Sequence, residues 1–289
     1  MSRFALLGHP LGHSLSPVIH QAAYDALGLE HSYELLDCPD ATAVSAAVAR
    51  LRKGEFAGFN VTVPHKQVAL GLADSPDPLA RQAGAANVLA LRGSKLHAFN
   101  TDILALLSEL GDVPRGVAIV LGNGGAALGA ATALGELGFE RIYVSARSHV
   151  GPRESWPSVA KFQALDVEFL AWLPDAWQAI SAEVSLVLQA TSAGMRGASP
   201  GDGVASVVPW QELPSSAVAY DVVYNPEETP FLAAAREHQL DARGGLGMLV
   251  GQAAAALELW LEVDAPRGAM LEAAKQALAQ EGHRGELGG

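Results

Sequence analysis

Residues 117–127 read Val-Ala-Ile-Val-Leu-Gly-Asn-Gly-Gly-Ala-Ala, five apolar residues that run into G-x-G-x-x-A and then into an alanine-rich stretch ending near residue 137. An apolar run this short, closed by glycines, reads as a buried strand, and the alanines beyond it favour a helix. Strand, tight turn and helix in that order commit this part of the chain to a parallel α/β sheet. Gly122 permits the turn, Gly124 lets the backbone approach a pyrophosphate, and Ala127 lets helix pack on strand, while the helix N-terminus offers unpaired N–H groups to an anion. The run is a dinucleotide-binding fingerprint in its required context.

The cofactor follows from the next strand, predicted over 141–145. A site for NAD usually carries Asp or Glu about 20 residues after the first glycine, to hold the ribose 2′-hydroxyl. Here Ile142-Tyr143-Val144-Ser145-Ala146-Arg147-Ser148 has no acid and ends on a base. Arg147 suits a 2′-phosphate through a charge-assisted contact, which makes NADP (NADPH) the expected cofactor.

Strands and helices alternate elsewhere too. Strands are predicted over 3–7, 32–36, 58–63, 184–189 and 218–223, and helices over 17–27, 41–51, 248–261 and 268–280, with a helix starting at 66. Gly93-Ser94 joins a predicted hairpin over 87–91 and 95–100, and Asn100 or Thr101 caps a helix running to about 111, with Asp102 in its first turn. Residues 151–174 have no readable period, and 282–289 read as a frayed tail.

The chain has 289 residues and a net charge of −12, with 49% apolar residues, 17% charged residues and a mean hydropathy of +0.19. That length suits two domains, and the low charge excludes disorder. The acidic excess repels nucleic acid and anionic lipid, so an anionic ligand must be held by a few local donors. Cys38, the sole cysteine, excludes an intrachain disulfide and a multi-cysteine metal site. Two uncharged stretches, 4–24 and 116–135, are broken by prolines or glycines and predict neither a signal peptide nor a membrane span. The expectation is a cytoplasmic protein. The nine histidines show no metal spacing, and His13, His20 and His65 read as structural or as supports behind a site.

Polar residues before residue 103 cluster where predicted strands run into helices: Ser14 and Ser16, then Asn60, Thr62 and Lys66, then Asn87 and Asp102. Singly, each has an ordinary role as a cap, a strand-end hydrogen bonder or a solvated charge. Together they occupy the junctions where open α/β sheets bind ligands.

With those segments in view, the sequence resembles the shikimate dehydrogenases. The resemblance is carried, in order, by His13-Ser14-Leu15-Ser16-Pro17, Asn60-Val61-Thr62-Val63-Pro64-His65-Lys66, Gly84-Ala85-Ala86-Asn87, Asn100-Thr101-Asp102, Gly122-Asn123-Gly124-Gly125-Ala126, Ala190-Thr191-Ser192-Ala193-Gly194-Met195, Asp221-Val222-Val223-Tyr224-Asn225-Pro226 and Gly247-Met248-Leu249-Val250-Gly251-Gln252. It implies an α/β protein of two domains separated by a cleft. One is a discontinuous substrate domain with a mostly parallel sheet (1–101 plus 245–289), the other a Rossmann-type NADP domain (102–244). It also implies a catalytic Lys66 with Asp102, and substrate contacts from Ser14, Leu15, Ser16, Asn60, Thr62, Asn87, Asp102, Tyr224 and Gln252. Cofactor contacts are implied at Gly122, Asn123, Gly124, Gly125, Ala126, Ala146, Arg147, Ser148, Thr191, Val222, Gly245 and Met248, and no metal is expected. Ala105, Val88, Asn123, Ala146 and Gln189 depart from the family pattern.

The implied reaction is reversible reduction of 3-dehydroshikimate to shikimate in aromatic amino acid biosynthesis, by a monomer or homodimer acting on a small molecule. In that reading Lys66 and Asp102 form a pair that orients the substrate hydroxyl and shuttles or stabilises the proton, whichever of the two carries it. The competing readings are a quinate or dual shikimate/quinate dehydrogenase using NAD or NADP, a folate-type dehydrogenase on a similar scaffold, and a non-catalytic ligand sensor that kept the fold.

Overall fold

The structure, a computed structural model, describes residues 1–12 and 14–286, with side chains as far as Glu281. His13 and residues 287–289 of the expected frayed tail lie outside the described residues. The chain divides into two compact units, Met1–Ala105 with Leu249–Gly289, and Leu106–Met248.

The first unit contains β1 (Arg3–Gly8), α1 (Ser16–Leu27), β2 (Ser32–Asp37), α2 (Ala41–Arg52), β3 (Gly58–Val61), α3 (Lys66–Leu72), β4 (Ser75–Pro76), α4 (Pro78–Gln82), β5 (Val88–Arg92) and β6 (Lys95–Phe99), and the chain leaves it within α5 (Thr101–Glu109). Its sheet has the order β2-β1-β3-β5-β6-β4. The pairs β1 with β2, β1 with β3 and β4 with β6 are parallel, and the β5–β6 hairpin inserts antiparallel between β3 and β4. Local chemistry sets the helix starts: Asp40 caps α2 by accepting from the Ala43 N–H at 2.9 Å, and Asp77 with Pro78 opens α4. Strand β3 stops at Val61, two residues earlier than the apolar pattern suggests, because Thr62 and His65 close a turn there, the His65 N–H donating to the Thr62 carbonyl at 2.9 Å.

The second unit contains β7 (Val117–Leu121), α6 (Gly125–Leu137), β8 (Arg141–Ser145), α7 (Pro157–Lys161), β9 (Glu168–Leu170), β10 (Val184–Gln189), α8 (Asp202–Ala205), β11 (Val218–Asp221), α9 (Pro230–Glu237) and β12 (Asp241–Arg243). Its sheet, β12-β11-β10-β7-β8-β9, is parallel throughout. Read from β9 it is the doubly wound order of a dinucleotide fold. Helix α10 (Leu246–Leu261) returns the chain to the first unit, and α11 (Arg267–Glu286) continues six residues past the predicted end at 280, since no proline follows and the two glycines there, Gly282 and Gly285, cost only about 1 kcal/mol each in a helix.

Both sheets are buried on two faces, which is why their central strands read as unbroken apolar runs. In β1, Ala5 and Leu7 join a core with Val44, Leu51, Phe59 and Leu89, while the alternate residue Phe4 stacks on Trp260 of α10 at 4.7 Å. In β7, Val117, Ile119 and Leu121 join Val187, Trp210 and Phe231, and the alternate residues Ala118 and Val120 are equally buried. Among the described residues no helix is long and apolar enough to cross a membrane.

One buried group sets an acid limit. His20 of α1 is fully buried and stacks on Tyr33 at 4.2 Å, and among the described residues neither ring nitrogen has a hydrogen-bond partner. Burial pushes its imidazole down to about 3, opposed only weakly by the nearby Asn60 side chain, which falls short of a well-formed hydrogen bond. The unfolded chain therefore takes up a proton there below about pH 6.5 that the folded chain refuses until about pH 3. Stability from this residue is complete above pH 6.5 and falls as the pH drops through that window. His20→Phe, which keeps the stack and removes the buried ring nitrogens, is expected to flatten that fall by about 2–3 kcal/mol between pH 7 and pH 4.5. Denaturant unfolding at pH 7 and pH 4.5 measures it, and parallel pH dependences in the two proteins would contradict it.

Candidate active site

Strands β1 and β3 are parallel, β5 is antiparallel to β3, and β6 returns beside β5, so the C-terminal ends of β1, β3 and β6 share one sheet edge with the start of β5. That edge gathers Asn60, Thr62, Asn87, Asn100, Thr101 and Asp102 from distant points of the sequence. Open α/β sheets present ligand sites at such an edge.

Asn87 is the centre of the cluster and is 3% exposed. Its Oδ1 accepts from the Thr101 N–H at 2.7 Å, and its amide donates to Asp102 Oδ1 at 2.9 Å and lies 3.5 Å from Gln252 Oε1. The other Asp102 oxygen, Oδ2, accepts from Lys66 Nζ at 2.5 Å. Asp102 occupies the first turn of α5, where a carboxylate is favoured, and Asn100 caps that helix by accepting from the Ile103 N–H at 3.3 Å. Lys66 is the first residue of α3. It is aimed from both sides: the His65 imidazole Nε2 sits 2.6 Å from the Cys38 carbonyl, and the Lys66 carbonyl accepts from the Ala86 N–H at 2.9 Å, next to Asn87. Both ends of the Lys66–Asp102 pair keep solvent access, with side-chain exposures of 31% and 20%. An ammonium has three donors and Asp102 takes one, so two remain for an incoming oxygen.

Behind the pair runs a line of support that the sequence reading missed in part. The Tyr33 hydroxyl donates to Asn60 Oδ1 at 2.7 Å, and the Asn60 amide lies 3.4 Å from the Asn87 carbonyl. Burial holds the Tyr33 phenol well above its ordinary range, opposed by the nearby Ser16 hydroxyl. Tyr33 sits in β2 with no motif around it, so only the fold brings it to the site. Asn60, expected to touch substrate, is 4% exposed and acts as a link in this line.

Leu15 precedes α1 and is buried, and Ser16 opens that helix, its N–H donating to Ser14 Oγ at 3.3 Å. Pro17 has no N–H and the Ile19 N–H is bonded to the Leu15 carbonyl at 3.0 Å, so the start of α1 offers a ligand the serine hydroxyls rather than a row of backbone N–H groups. Thr62 follows β3 and is half-buried, its N–H bonded to the Leu7 carbonyl at 2.8 Å. Gln252 is fixed by a bond from its amide to the Leu249 carbonyl at 2.8 Å.

In the second unit the glycine turn lies between β7 and α6. Gly122 has φ +127°, and a Cβ there would stand 3.0 Å from the Ala190 carbonyl oxygen and from Thr191, so only glycine fits. Space outside Gly124 and Gly125 is open, and α6 begins without a side-chain cap. Arg147 and Ser148 are exposed at the end of β8, and Ala146 is buried beneath them. An open cradle, unclaimed N–H groups and a solvent-facing guanidinium fit a phosphorylated dinucleotide. Two departures from the family pattern find partners. The Asn123 amide donates to Ser148 Oγ at 3.0 Å, tying the turn to the loop after β8, and buried Gln189 accepts from the Thr191 N–H and donates to the Ala193 carbonyl at 3.0 Å.

Strand β11 ends at Asp221 rather than Val223 because the Asp221 carboxylate takes up the chain there. It accepts from the Val223 N–H at 2.9 Å and from the Thr229 hydroxyl at 2.7 Å, and burial pushes its acid up to about 6. Tyr224 and Gly245 line one small cavity of about 140 Å³ with Val223, Glu227, Arg236, Gly244 and Leu246. Gly245 packs so tightly on the Val222 backbone that a side chain would collide with it. Met248 lies in the first turn of α10. Among the described residues no His, Cys, Asp and Glu cluster could hold a metal ion.

Residues 6–89 match the family model for the shikimate dehydrogenase substrate binding domain, and 245–275 match that for the shikimate 5′-dehydrogenase C-terminal domain. The shikimate dehydrogenase (NADP(+)) of Thermus thermophilus is 37% identical over 285 residues, covering 96% of this chain and 99% of its own. The one of Symbiobacterium thermophilum is 36% identical over 280 residues, covering 94% of this chain and 93% of its own. Among solved structures, the shikimate 5-dehydrogenase of Thermus thermophilus in complex with NADP(H) and shikimate superposes with a TM-score of 0.82 at 36% identity, over 96% of this chain and all of that one.

Proposed function

The chain belongs to the shikimate dehydrogenase family, and from that premise we propose how its own residues carry the family's reaction. It is an NADP-dependent oxidoreductase acting on a CH–OH group, interconverting 3-dehydroshikimate and shikimate. The relatives favour this over the quinate, folate-type and sensor readings. The first unit is assigned as the substrate-binding and catalytic domain and the second as the NADP domain, with the sequence boundaries at 101 and 245 lying within four residues of those of the compact units. A monomer or homodimer working in the cytoplasm is the accompanying reading, and the net charge of −12 disfavours nucleic acid and anionic membranes as partners.

The observation that carries the mechanism is the Lys66–Asp102 pair with Asn87 on its far side. NADPH, when bound, supplies the hydride to the ring carbonyl carbon, and its pyrophosphate would be held by Gly122, Asn123, Gly124, Gly125 and Ala126, with Arg147 and Ser148 toward the 2′-phosphate. Lys66 donates to the ketone oxygen, stabilising negative charge as it develops and delivering the proton. Asp102, fixed by Asn87, orients the ammonium in both directions, and in the reverse direction Lys66 takes back the proton of the same hydroxyl. Ser14 and Ser16 hold the ring carboxylate through their hydroxyls, while Asn87, Gln252 and Thr62 read the ring hydroxyls. Leu15, between the serines in sequence, is buried. Thr191, Val222, Gly245, Met248 and Ala146 shape the cofactor's surroundings through backbone and packing.

Initial rates with shikimate or quinate, each with NADP or NAD and followed by absorbance of the reduced nicotinamide, test this reading. Shikimate with NADP is expected to give the highest kcat/KM, by about tenfold or more over any other pairing. Equal or faster turnover of quinate with NAD would overturn it.

A further inference from the structure

Residues 157–162 carry no motif, yet they place a cation on the glycine turn. Lys161, the last residue of α7, donates from Nζ to the Asn123 carbonyl at 3.3 Å. Asn123 is the second residue of that turn, and its side-chain bond to Ser148 joins it to the residue after Arg147. The turn and the strand end are adjacent: Leu121 pairs with Ser145, and the Gly122 N–H donates to the Ser145 carbonyl at 2.8 Å. In a dinucleotide fold the end of this second strand faces the adenosine ribose and selects its 2′ substituent.

We propose that Lys161 is a specificity-determining residue, a second cation that recognises the 2′-phosphate of NADP together with Arg147. The proposal rests on the NADP reading above and adds to it a residue from a segment that the family motifs do not cover. The 2′-phosphate brings up to two negative charges into a chain of net charge −12, and one guanidinium leaves it part-compensated. Lys161 is exposed, and among the described residues no carboxylate pairs with it, so its remaining donors are free for a phosphate.

Its position is built in. His149, which follows Ser148, stacks on Trp156 at 4.5 Å with the rings 1° from parallel. The His149 Nδ1–H donates to the Leu170 carbonyl at 2.9 Å, which leaves Nε2 to accept from the Ser158 hydroxyl at 2.6 Å. The Trp156 indole N–H donates to the Val150 carbonyl at 3.1 Å, and Phe162, next to Lys161, is buried. The loop bearing Arg147 and the helix bearing Lys161 are thereby one packed piece, anchored through His149.

The test measures dissociation constants of the full-length protein by tryptophan fluorescence for NADPH, NADH, 2′,5′-ADP and 5′-AMP, in wild type, Lys161→Gln and Lys161→Arg. Lys161→Gln is expected to weaken NADPH and 2′,5′-ADP about tenfold or more and to leave NADH and 5′-AMP within about twofold, while Lys161→Arg stays near wild type. Equal weakening of the phosphorylated and unphosphorylated ligands, or no weakening at all, would overturn the role of Lys161. A wild-type protein that binds NADH as tightly as NADPH would instead overturn the NADP reading itself, so the two failures are separable.

Discussion

Lys66→Ala is expected to lower kcat by about a thousandfold or more while the dissociation constant for NADPH stays within about twofold. The size follows from the two tasks on one nitrogen. A positioned proton donor contributes about 10²–10⁴ and a donor to a developing oxyanion about 10²–10³, and the two overlap because the same N–H does both. The substitution removes neither a core side chain nor a helix former, since Lys66 is part-exposed at the start of α3 and alanine suits a helix. Asp102 keeps its bond from the Asn87 amide, so its geometry survives the loss. Single-turnover kinetics with a separate binding titration measure both quantities. A loss below about tenfold would place the proton transfer on another group.

Asn87→Ala is expected to act on stability and rate together. It leaves the Thr101 N–H buried without its 2.7 Å partner and frees Asp102 on the side away from Lys66. An unsatisfied buried donor costs about 1–3 kcal/mol, and the cavity adds to it, so a loss of about 2–4 kcal/mol in unfolding free energy is expected with a fall in kcat of about a hundredfold. Asn87→Asp separates the two effects. Its carboxylate still accepts from Thr101 but repels Asp102, so part of the stability returns and the rate does not. Denaturant unfolding alongside kcat reads this out, and full recovery of rate in Asn87→Asp would contradict the positioning role.

The parts of the fold that were legible in the sequence are those whose local chemistry and burial agree. Val117 to Leu121 is apolar because both faces are covered, and Gly122 must follow because the chain turns against Ala190 and Thr191. The two edge strands of the second sheet were not legible. Residues 168–170 and 241–243 pair on one side only and carry Glu168, Asp241 and Arg243, so no apolar run marks them. Helix α9 did have a readable start, since Thr229 caps it by accepting from the Leu232 N–H at 3.2 Å and Pro230 follows, a signal the apolar period alone passes over. At the site, Lys66, Asn87 and Asp102 are legible as motifs because each sits at a strand–helix junction. Tyr33 and Lys161 are not, because their roles come from pairings across 27 and 38 positions of sequence.

The central claim is that Lys66 and Asp102 act as one unit, and a double-mutant cycle tests it most directly. Steady-state kcat/KM is measured for wild type, Lys66→Ala, Asp102→Ala and the double variant, with NADPH binding as the control for folding. The 2.5 Å pair predicts that the double variant is no more than about tenfold slower than the slower single variant, because either loss disables the same proton transfer. Losses that multiply, with the double variant slowed by the product of the two single effects, would show two groups working independently and would contradict the account.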